Sequence, residues 1–343
     1  MTLPANPLAP LSGNKPVNYH HLFRETWHII QRQRVLWVVA LLTLSLSTIS
    51  NIGLRLGGRW AFSRLFINPM SLEGRLEQLF LQLGQPVPLV GGLVVLVGGV
   101  LLIWVVTTIG EAALIYAAAQ AHTGHSPRFD QALRAGIRLL GPFVGIDTVV
   151  FFPLFGLLLA ILLLAAAAMI LGLLLGTRSG ELLSLLSPLL IGGVLTLGLS
   201  LFILPLTLIT MTFRTLAFRA AALQNLGVRE SIHHTWQLIR HKTSPIIAVT
   251  ALLFGLGYLL GLLTTIVLLP LSLIEGLPNL SALAAGLTPA LFFSPLTIIT
   301  TLINAGLSLG VQVAITVFTS TTWTITYQEL IKEELTTIAV HSE

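Results

Sequence analysis

The chain contains no cysteine among its 343 residues. This absence excludes disulfide bonds, thiolate nucleophiles and Cys-ligated metal centres. Charge is also scarce, because Asp, Glu, Lys and Arg make up only 9% of the residues, whereas soluble domains carry about 25%. P-loops, G-x-S-x-G nucleophile elbows and paired-carboxylate sites are missing from the polar segments, which are too short to form a catalytic domain. The composition therefore argues against a soluble enzyme.

Hydrophobic residues make up 55% of the chain and are concentrated in long runs. A transmembrane helix needs about 20 consecutive, mostly apolar residues. Six segments meet this requirement: 35–54, 88–112, 144–172, 188–212, 246–270 and 296–322. The polar, proline-containing residues before the first span lack the apolar core and cleavage site of a signal peptide, so this span is expected to remain in the protein. The predicted fold is all-α, a polytopic membrane protein with six transmembrane helices.

Lys and Arg are distributed unequally between the two sides of these spans. Of the 18 residues, 13 lie in the terminal segments and in the loops after spans 2 and 4, and five lie in the other loops. Because basic residues accumulate on cytoplasmic flanks, both termini are predicted to be cytoplasmic. The same bias explains the excess of basic over acidic residues without a nucleic-acid partner. On the opposite side, residues 71–84 (SLEGRLEQLFLQLG) have apolar residues at helical spacing and predict an amphipathic surface helix.

Two segments that precede spans resemble each other. Phe23, Trp27 and Ile30 align with the trio Ile232, Trp236 and Ile239 at a constant offset of 209 residues, and each trio forms one face of a helix. Residues 126–142 occupy the same place before span 3, where Phe129, Leu133, Ile137 and Leu140 give a comparable face in one of two possible registers. These segments predict cytoplasmic amphipathic helices at the membrane interface.

The ends of the even-numbered spans also correspond. The stretch EAALIYAAAQAHTGHS after span 2 aligns with RTLAFRAAALQNLGVR after span 4 at an offset of 103, which pairs Gly124 with Gly227. Tyr327 at the end of span 6 is a weaker match for Tyr116. We therefore predict one membrane domain over 20–335, built from three interfacial-helix-plus-hairpin units at about 20–122, 123–226 and 227–335. A disordered cytoplasmic segment (1–19) and a tail (336–343) complete the chain.

The lead-in FRETWHIIQRQRVLW, the internal LQNLGVRESIHHTWQLIRHK and the closing TTWTITYQELIKEE together resemble a group of bacterial six-span membrane proteins. This group includes the membrane domain attached to some glycerophosphodiester phosphodiesterases. The resemblance covers most of the chain and implies the fold and a bacterial inner membrane. It implies no catalytic residue, because the phosphodiesterase domain of the fused members is absent.

Charged residues in or beside the spans are the first candidates for function, because each costs at least about 2.5 kcal/mol at a helix centre. The offset of 103 places Glu111 at the position of Arg214, near the ends of spans 2 and 4, and Asp147 begins span 3. One hypothesis is a Glu111–Arg214 ion pair that Asp147 joins, acting as a proton or substrate relay. The alternative is a structural pair at the interface.

Histidines and threonines supply further candidates, each with a structural alternative. His122 and His125 have a spacing that can present two imidazoles to a metal, but paired surface histidines in a basic, headgroup-facing belt are the preferred explanation. Thr319, Thr322 and Thr326 form a hydroxyl stripe that either lines a polar pathway or packs helices together. Gly257 and Gly261 form a GxxxG pair typical of close helix contact. No cofactor is predicted.

Two classes of function remain, with an intramembrane enzyme ranked third because no nucleophile–base pair is present. The first class is a non-enzymatic, membrane-organising or accessory component that contacts anionic lipids on the cytoplasmic side, or a partner membrane protein. Its candidate headgroup contacts are basic and aromatic residues at the span ends: Arg24, Trp27, Arg32, Arg34, Arg134, Arg138, Arg229, Trp236, Arg240 and Lys242. The alternative is a transporter with a polar cavity between repeats, lined by the charged cluster and the threonine stripe.

Overall fold

The computed structural model describes residues 19–67, 86–176, 181–284 and 295–341, which form eight α-helices and no strand. Residues 71–84 and most of the predicted disordered segment lie outside the described residues. The helices are α1 (Tyr19–Arg32), α2 (Arg34–Ile67), α3 (Pro86–His122), α4 (Phe129–Gly176), α5 (Glu181–Gln224), α6 (Val228–His241), α7 (Thr243–Ala284) and α8 (Pro295–His341).

Six of these helices are long and apolar enough to cross a membrane. Their apolar segments are Arg34–Gly53, Val97–His122, Phe129–Ile161, Pro205–Gln224, Thr243–Leu271 and Ile298–Lys332. This confirms the predicted number and type of spans, and the chain is a multi-pass membrane protein by these criteria. Helix α8 continues to His341 and therefore includes most of the segment predicted as a tail.

The two short helices α1 and α6 have the same length and the same relation to the following span. Each has 14 residues, and their first and last residues differ by the 209 residues of the sequence offset. A single residue, Gln33 or Lys242, separates each from the next helix. The carbonyl of Ile30 accepts a hydrogen bond from the Trp37 indole at 3.0 Å, and the carbonyl of Ile239 accepts one from the Thr243 hydroxyl at 2.5 Å. In both cases the following helix supplies the donor for the last turn, which would otherwise lack one.

The third lead-in segment differs from the prediction of a separate interfacial helix. Residues 129–140 are the first turns of the 48-residue α4, which continues into the span. The buried positions are Ala132 and Gly136, whereas Phe129 and Ile137 are exposed. A Cβ atom at Gly136 would overlap the backbone carbonyl of Ile109 in α3. Close approach of two helix backbones, rather than a large apolar face, therefore sets the orientation of this segment.

The chain forms two compact units, Met1–Leu140 with Ser244–Glu343, and Gly141–Thr243. In the first unit α1, α2 and α3 pack against α8. Every residue from Ser320 to Tyr327 is buried, so this part of α8 is enclosed on all sides. Phe23 of α1 stacks on Phe318 of α8 with ring centroids 5.7 Å apart. Gly110 of α3 lies against Thr43 of α2, where a Cβ would overlap the threonine side chain.

In the second unit, α4 contacts both α5 and α6. The rings of Phe143 in α4 and Phe218 in α5 stack with centroids 3.9 Å apart. A Cβ at Gly145 of α4 would lie 2.7 Å from the Val228 side chain at the start of α6. Small residues therefore allow close helix contact here as well.

The ends of α3 and α5 can be compared residue by residue at the sequence offset of 103. The aligned alanines Ala117, Ala118, Ala220 and Ala221 are buried. Beyond them, Gly124 and Asn225 have positive φ angles of 81° and 53°, the left-handed conformation that ends many helices. Gly227, which the alignment pairs with Gly124, has a φ of −67° and precedes α6 instead. The glycine pairing was therefore wrong as a structural equivalence, because Asn225 also tolerates this conformation.

Candidate functional site

The second unit contains a buried ion pair between two apolar helices. Arg214 of α5 donates from Nε to Oδ1 of Asp147 in α4 at 2.6 Å, and from a terminal nitrogen to Oδ2 at 3.3 Å. The Asp147 side chain is 2% exposed and that of Arg214 is 16% exposed. Two-point contacts between a guanidinium and a carboxylate are among the stronger hydrogen bonds in proteins.

Aromatic rings surround the guanidinium of Arg214. Its central carbon lies 4.1 Å from the ring centroid of Phe218, one turn further along α5, and 5.7 Å from that of Phe151 in α4. Phe143, Asp147 and Phe151 follow at spacings of four and therefore share one face of α4. The ring faces add cation–π stabilisation to a charge that has lost most of its water. Together these side chains form a charged pair within an apolar environment.

One contact of the predicted charged cluster is described, the pair of Asp147 with Arg214. The sequence predicted this contact only as an addition to a Glu111–Arg214 ion pair. Glu111 is a half-buried residue of α3 and belongs to the first compact unit. Sequence spacing could not show that Asp147 meets Arg214, because this pairing depends on how α4 and α5 pack.

Helices α1 and α6 bury one side and expose the other. In α1 the buried residues are Leu22, Thr26, Ile29 and Ile30, and in α6 they are Ser231, Thr235 and Leu238. Trp27 is 54% exposed and Trp236 is 49% exposed. Trp27 and Trp236 therefore lie on the exposed side of their helices, as a headgroup contact requires. We call the exposed sides of α1 and α6 the outward faces.

The outward face of α6 combines two arginines and a histidine with its tryptophan. Arg229, His233, Trp236 and Arg240 are all exposed, and their spacings of four, three and four place them along one line of the helix. The guanidinium carbon of Arg240 lies 4.9 Å from the Trp236 ring centroid. At 100° per residue, Ser231 and Thr235 lie roughly half a turn away, on the buried side.

The predicted headgroup contacts are almost all exposed, as that role requires. Lys242 is half-buried, and the other basic residues of the set are exposed: Arg24, Arg32, Arg34, Arg134, Arg138, Arg229 and Arg240. Arg134 is paired with Asp130 at 3.1 Å, with side chains 80% and 57% exposed. The solvent screens such a surface pair strongly. Arg134 therefore has a carboxylate beside it, whereas Arg32 and Arg240 have no acidic neighbour in sequence.

The threonine stripe lies in the packed core of the first unit. Thr322 and Thr326 are fully buried, and Thr319 is half-buried. Thr322 donates to the carbonyl of Phe318 and Thr326 to that of Thr322, both at 2.8 Å. The hydroxyl oxygens of Thr322 and Thr26 lie 3.4 Å apart, across the contact between α8 and α1. Such bonds satisfy the hydroxyl inside its own helix and allow close packing.

The GxxxG pair in α7 has a different environment. A Cβ atom at Gly257 or Gly261 would meet no atom within 4 Å. The predicted close helix contact at this pair is therefore absent from the described part of this chain.

Sequence reasoning missed a contact that fixes α1 in the first unit. Oε1 of Glu25 lies 3.0 Å from Nδ1 of His122 at the end of α3, and its Oε2 lies 3.6 Å from Nδ1 of His21. His125 instead has Nδ1 3.1 Å from the Thr123 hydroxyl. Among the described residues, no three His, Cys, Asp or Glu side chains are grouped to hold a metal ion. The nearly hundred-residue separation of Glu25 and His122 left no signal in the sequence.

A scan against protein-family models, a search of curated proteins and a search of solved structures find no match. The resemblance to the membrane domain of glycerophosphodiester phosphodiesterases stays a prediction from sequence pattern. The local geometry offers two arrangements with chemical consequences, the outward faces of α1 and α6 and the Asp147–Arg214 pair.

Proposed function

We propose that the protein is a non-enzymatic, membrane-organising or accessory component whose outward faces on α1 and α6 contact anionic lipid headgroups. The observation that carries the proposal is the exposure of Trp27 and Trp236 on the side opposite the buried residues of each helix. Tryptophan is favoured at the membrane–water interface, where its ring meets apolar atoms and its N–H meets water. Neighbouring arginines attract the phosphates of the same interface.

The position of the two helices supports this proposal. Each ends one residue before an apolar helix that is long enough to cross a membrane. A helix so close to the start of a span has little freedom to leave the membrane surface, so its exposed side meets headgroups and water. The basic residues at the span ends, Arg34 and Lys242 among them, extend the same charge toward the membrane.

The cellular context follows from the sequence. The excess of Lys and Arg on one side of the spans supports cytoplasmic termini, and the family resemblance supports a bacterial inner membrane. On this basis α1 and α6 contact the anionic lipids of the cytoplasmic leaflet. A partner membrane protein is the alternative contact for the outward faces in an accessory role.

Retention of lipids during purification tests the proposal. The wild-type protein is isolated in a mild detergent, and native mass spectrometry identifies the lipids that stay bound. We expect anionic phospholipids to be enriched over zwitterionic ones. Replacing Arg24, Arg32, Arg229 and Arg240 with glutamine should remove the enrichment, whereas Arg128→Gln, at an exposed arginine outside the predicted headgroup contacts, should leave it. Equal lipid retention by the wild type and the fourfold variant would reject the proposal.

The buried Asp147–Arg214 pair favours a second candidate, a transporter. Ionisable residues inside a membrane mark substrate or proton pathways in many transport proteins. If this pair lies on such a pathway, solute uptake into vesicles should require Asp147 and be lost in Asp147→Asn. Uptake that depends on this carboxylate, together with unselective lipid retention, would favour transport over the lipid-contact role.

A further inference from the structure

We infer that two copies of this chain associate in the membrane through α8, with Gln312 of each copy at the contact. The association is independent of the proposed lipid contact of α1 and α6. Gln312 lies at the middle of the stretch 295–328 of α8, which contains no charged residue. About 25 Å of helix separates it from either end of this stretch, and the hydrocarbon core of a bilayer is about 30 Å thick. Gln312 therefore lies within the hydrocarbon core.

The amide of Gln312 has no hydrogen-bond partner within the part of the chain that the structure describes, and its side chain is exposed. Other polar side chains of α8 are bonded within the helix. Ser308 donates to the side-chain oxygen of Asn304 at 3.3 Å, and Thr322 donates to the carbonyl of Phe318 at 2.8 Å. Because lipid tails offer no hydrogen bond, a bare amide among them is unfavourable. A polar group of a neighbouring protein molecule would remove this penalty.

The residues on either side of Gln312 form a seam that suits a second helix. Ala305, Ser308, Gln312, Ile315 and Thr319 follow at spacings of three, four, three and four, the pattern by which two helices pack lengthwise. The four residues that flank the glutamine are half-buried, so each keeps part of its surface accessible. Three of the four are small, and small residues let two helix backbones approach closely in a membrane.

A second copy of the chain fits the chemistry of this seam. Copies inserted with the same orientation are related by an axis along the membrane normal, so the same residue lies at the same depth in each. A twofold axis beside Gln312 brings two identical amides together. Each amide both donates and accepts, so the two can exchange a pair of N–H···O bonds without any third group. Twofold pairs are the commonest symmetric assemblies, and one polar residue at a helix seam fixes the register.

The dissociation constant in lipid vesicles tests the association. The full chain carries one dye on His125→Cys, in the exposed turn after α3, and energy transfer between donor-labelled and acceptor-labelled copies is followed as lipid dilutes the protein. We expect pairs that separate on dilution. Gln312→Leu should raise the dissociation constant about tenfold, or about 1.4 kcal/mol, as two interhelical polar bonds are lost. Leu307→Ala changes an exposed residue on the opposite side of α8 and should leave the constant unchanged.

Disulfide cross-linking locates the contact on α8. Ala305 lies on the same side of the helix as Gln312, whereas Ile303 is exposed and lies half a turn away. In oxidised vesicles Ala305→Cys should give a covalent dimer, and Ile303→Cys should not. The inference is overturned by a wild-type chain that stays monomeric at the highest protein-to-lipid ratio, or by a dissociation constant that Gln312→Leu does not change. Cross-linking through Ile303→Cys in place of Ala305→Cys would also reject it.

Discussion

Asp147 and Arg214 show what a single pair of residues contributes in an apolar environment. The carboxylate is 2% exposed and accepts two hydrogen bonds from a guanidinium that also contacts two phenyl rings. Removing two charges from water costs several kcal/mol per ion, so such a pair stabilises the fold only when both partners are present. Loss of one partner leaves the other charge in a site that was built for a pair.

Breaking this pair should lower the stability of the protein. We predict that Asp147→Asn or Arg214→Gln reduces the free energy of unfolding by about 3 kcal/mol, because a buried charge loses its counter-ion. The measurement is chemical unfolding in mixed micelles. The exposed Asp130–Arg134 pair supplies the control, and Asp130→Asn should cost less than about 1 kcal/mol. The double variant Asp147→Arg with Arg214→Asp should recover part of the lost free energy of unfolding. Equal effects of Asp147→Asn and Asp130→Asn would contradict the account.

At this scale the sequence predicted the unusual residues but not their partners. Asp147 and Arg214 were identified as candidates because charge is rare in apolar segments, and this reasoning needs no structure. Their direct pairing depends on how α4 and α5 rotate about their axes, which the stacking of Phe143 on Phe218 fixes. The contact between Glu25 and His122 was missed for the same reason, since neither residue is unusual in its own segment.

Small residues determine how the lead-in helices pack. Thr26 in α1, Gly136 in α4 and Thr235 in α6 are all buried, and none has a large side chain. At Gly136 the backbone of α4 approaches the carbonyl of Ile109 too closely for a Cβ atom. In a membrane, close van der Waals contact replaces much of the hydrophobic driving force between helices, so small residues mark the contact side.

A methyl group at Gly136 should therefore disrupt the contact between α3 and α4. We predict that Gly136→Ala lowers the free energy of unfolding by about 1–3 kcal/mol, because the backbones must separate to admit the Cβ. Gly141 lies in the same helix with no atom within 4 Å of its potential Cβ, so Gly141→Ala is the matched control. It should be neutral or stabilising by up to about 1 kcal/mol, as alanine favours helix. Thermal unfolding in detergent compares the two variants. A larger loss of stability in Gly141→Ala than in Gly136→Ala would refute this packing.

Sequence periodicity identified α1 and α6, and the placement of their tryptophans at the lipid headgroups stays a prediction. The pattern rule equates the large apolar residues with the buried side of a helix. That rule fails at a membrane surface, because lipid is also apolar and an exposed tryptophan there has a favourable environment. Ser231, Thr235 and Leu238 form the buried side of α6, and hydrophobicity alone would not have placed the two hydroxyl residues there.

At the scale of the whole molecule, the length and spacing of the apolar helices define the architecture. Six helices can span a membrane, as the composition predicted. The bounds of α1 and α6 differ by the 209 residues of the sequence offset, whereas the lead-in before span 3 is part of the continuous α4, and the threefold repeat stays a prediction. The division into two compact units could not be predicted, because Gly141 lies inside one uninterrupted helix.

Sidedness can be measured directly, since the chain has no cysteine. We predict that His125→Cys, in the exposed turn after α3, reacts with a membrane-impermeant maleimide only after the cytoplasmic side is made accessible. The reason is the excess of basic residues on that side of the spans. Labelling of this cysteine in intact cells would overturn the proposed orientation.

The depth of the two outward faces in a bilayer is the most direct test of the central claim, that α1 and α6 lie at the lipid headgroups. Nitroxide labels on His28→Cys and Gln237→Cys, exposed residues beside Trp27 and Trp236, report depth through their relative collision rates with oxygen and a nickel chelate in reconstituted membranes. We predict that each label lies at the level of the lipid phosphates. A label that behaves as if in bulk water, or one deep in the hydrocarbon core, would contradict the account.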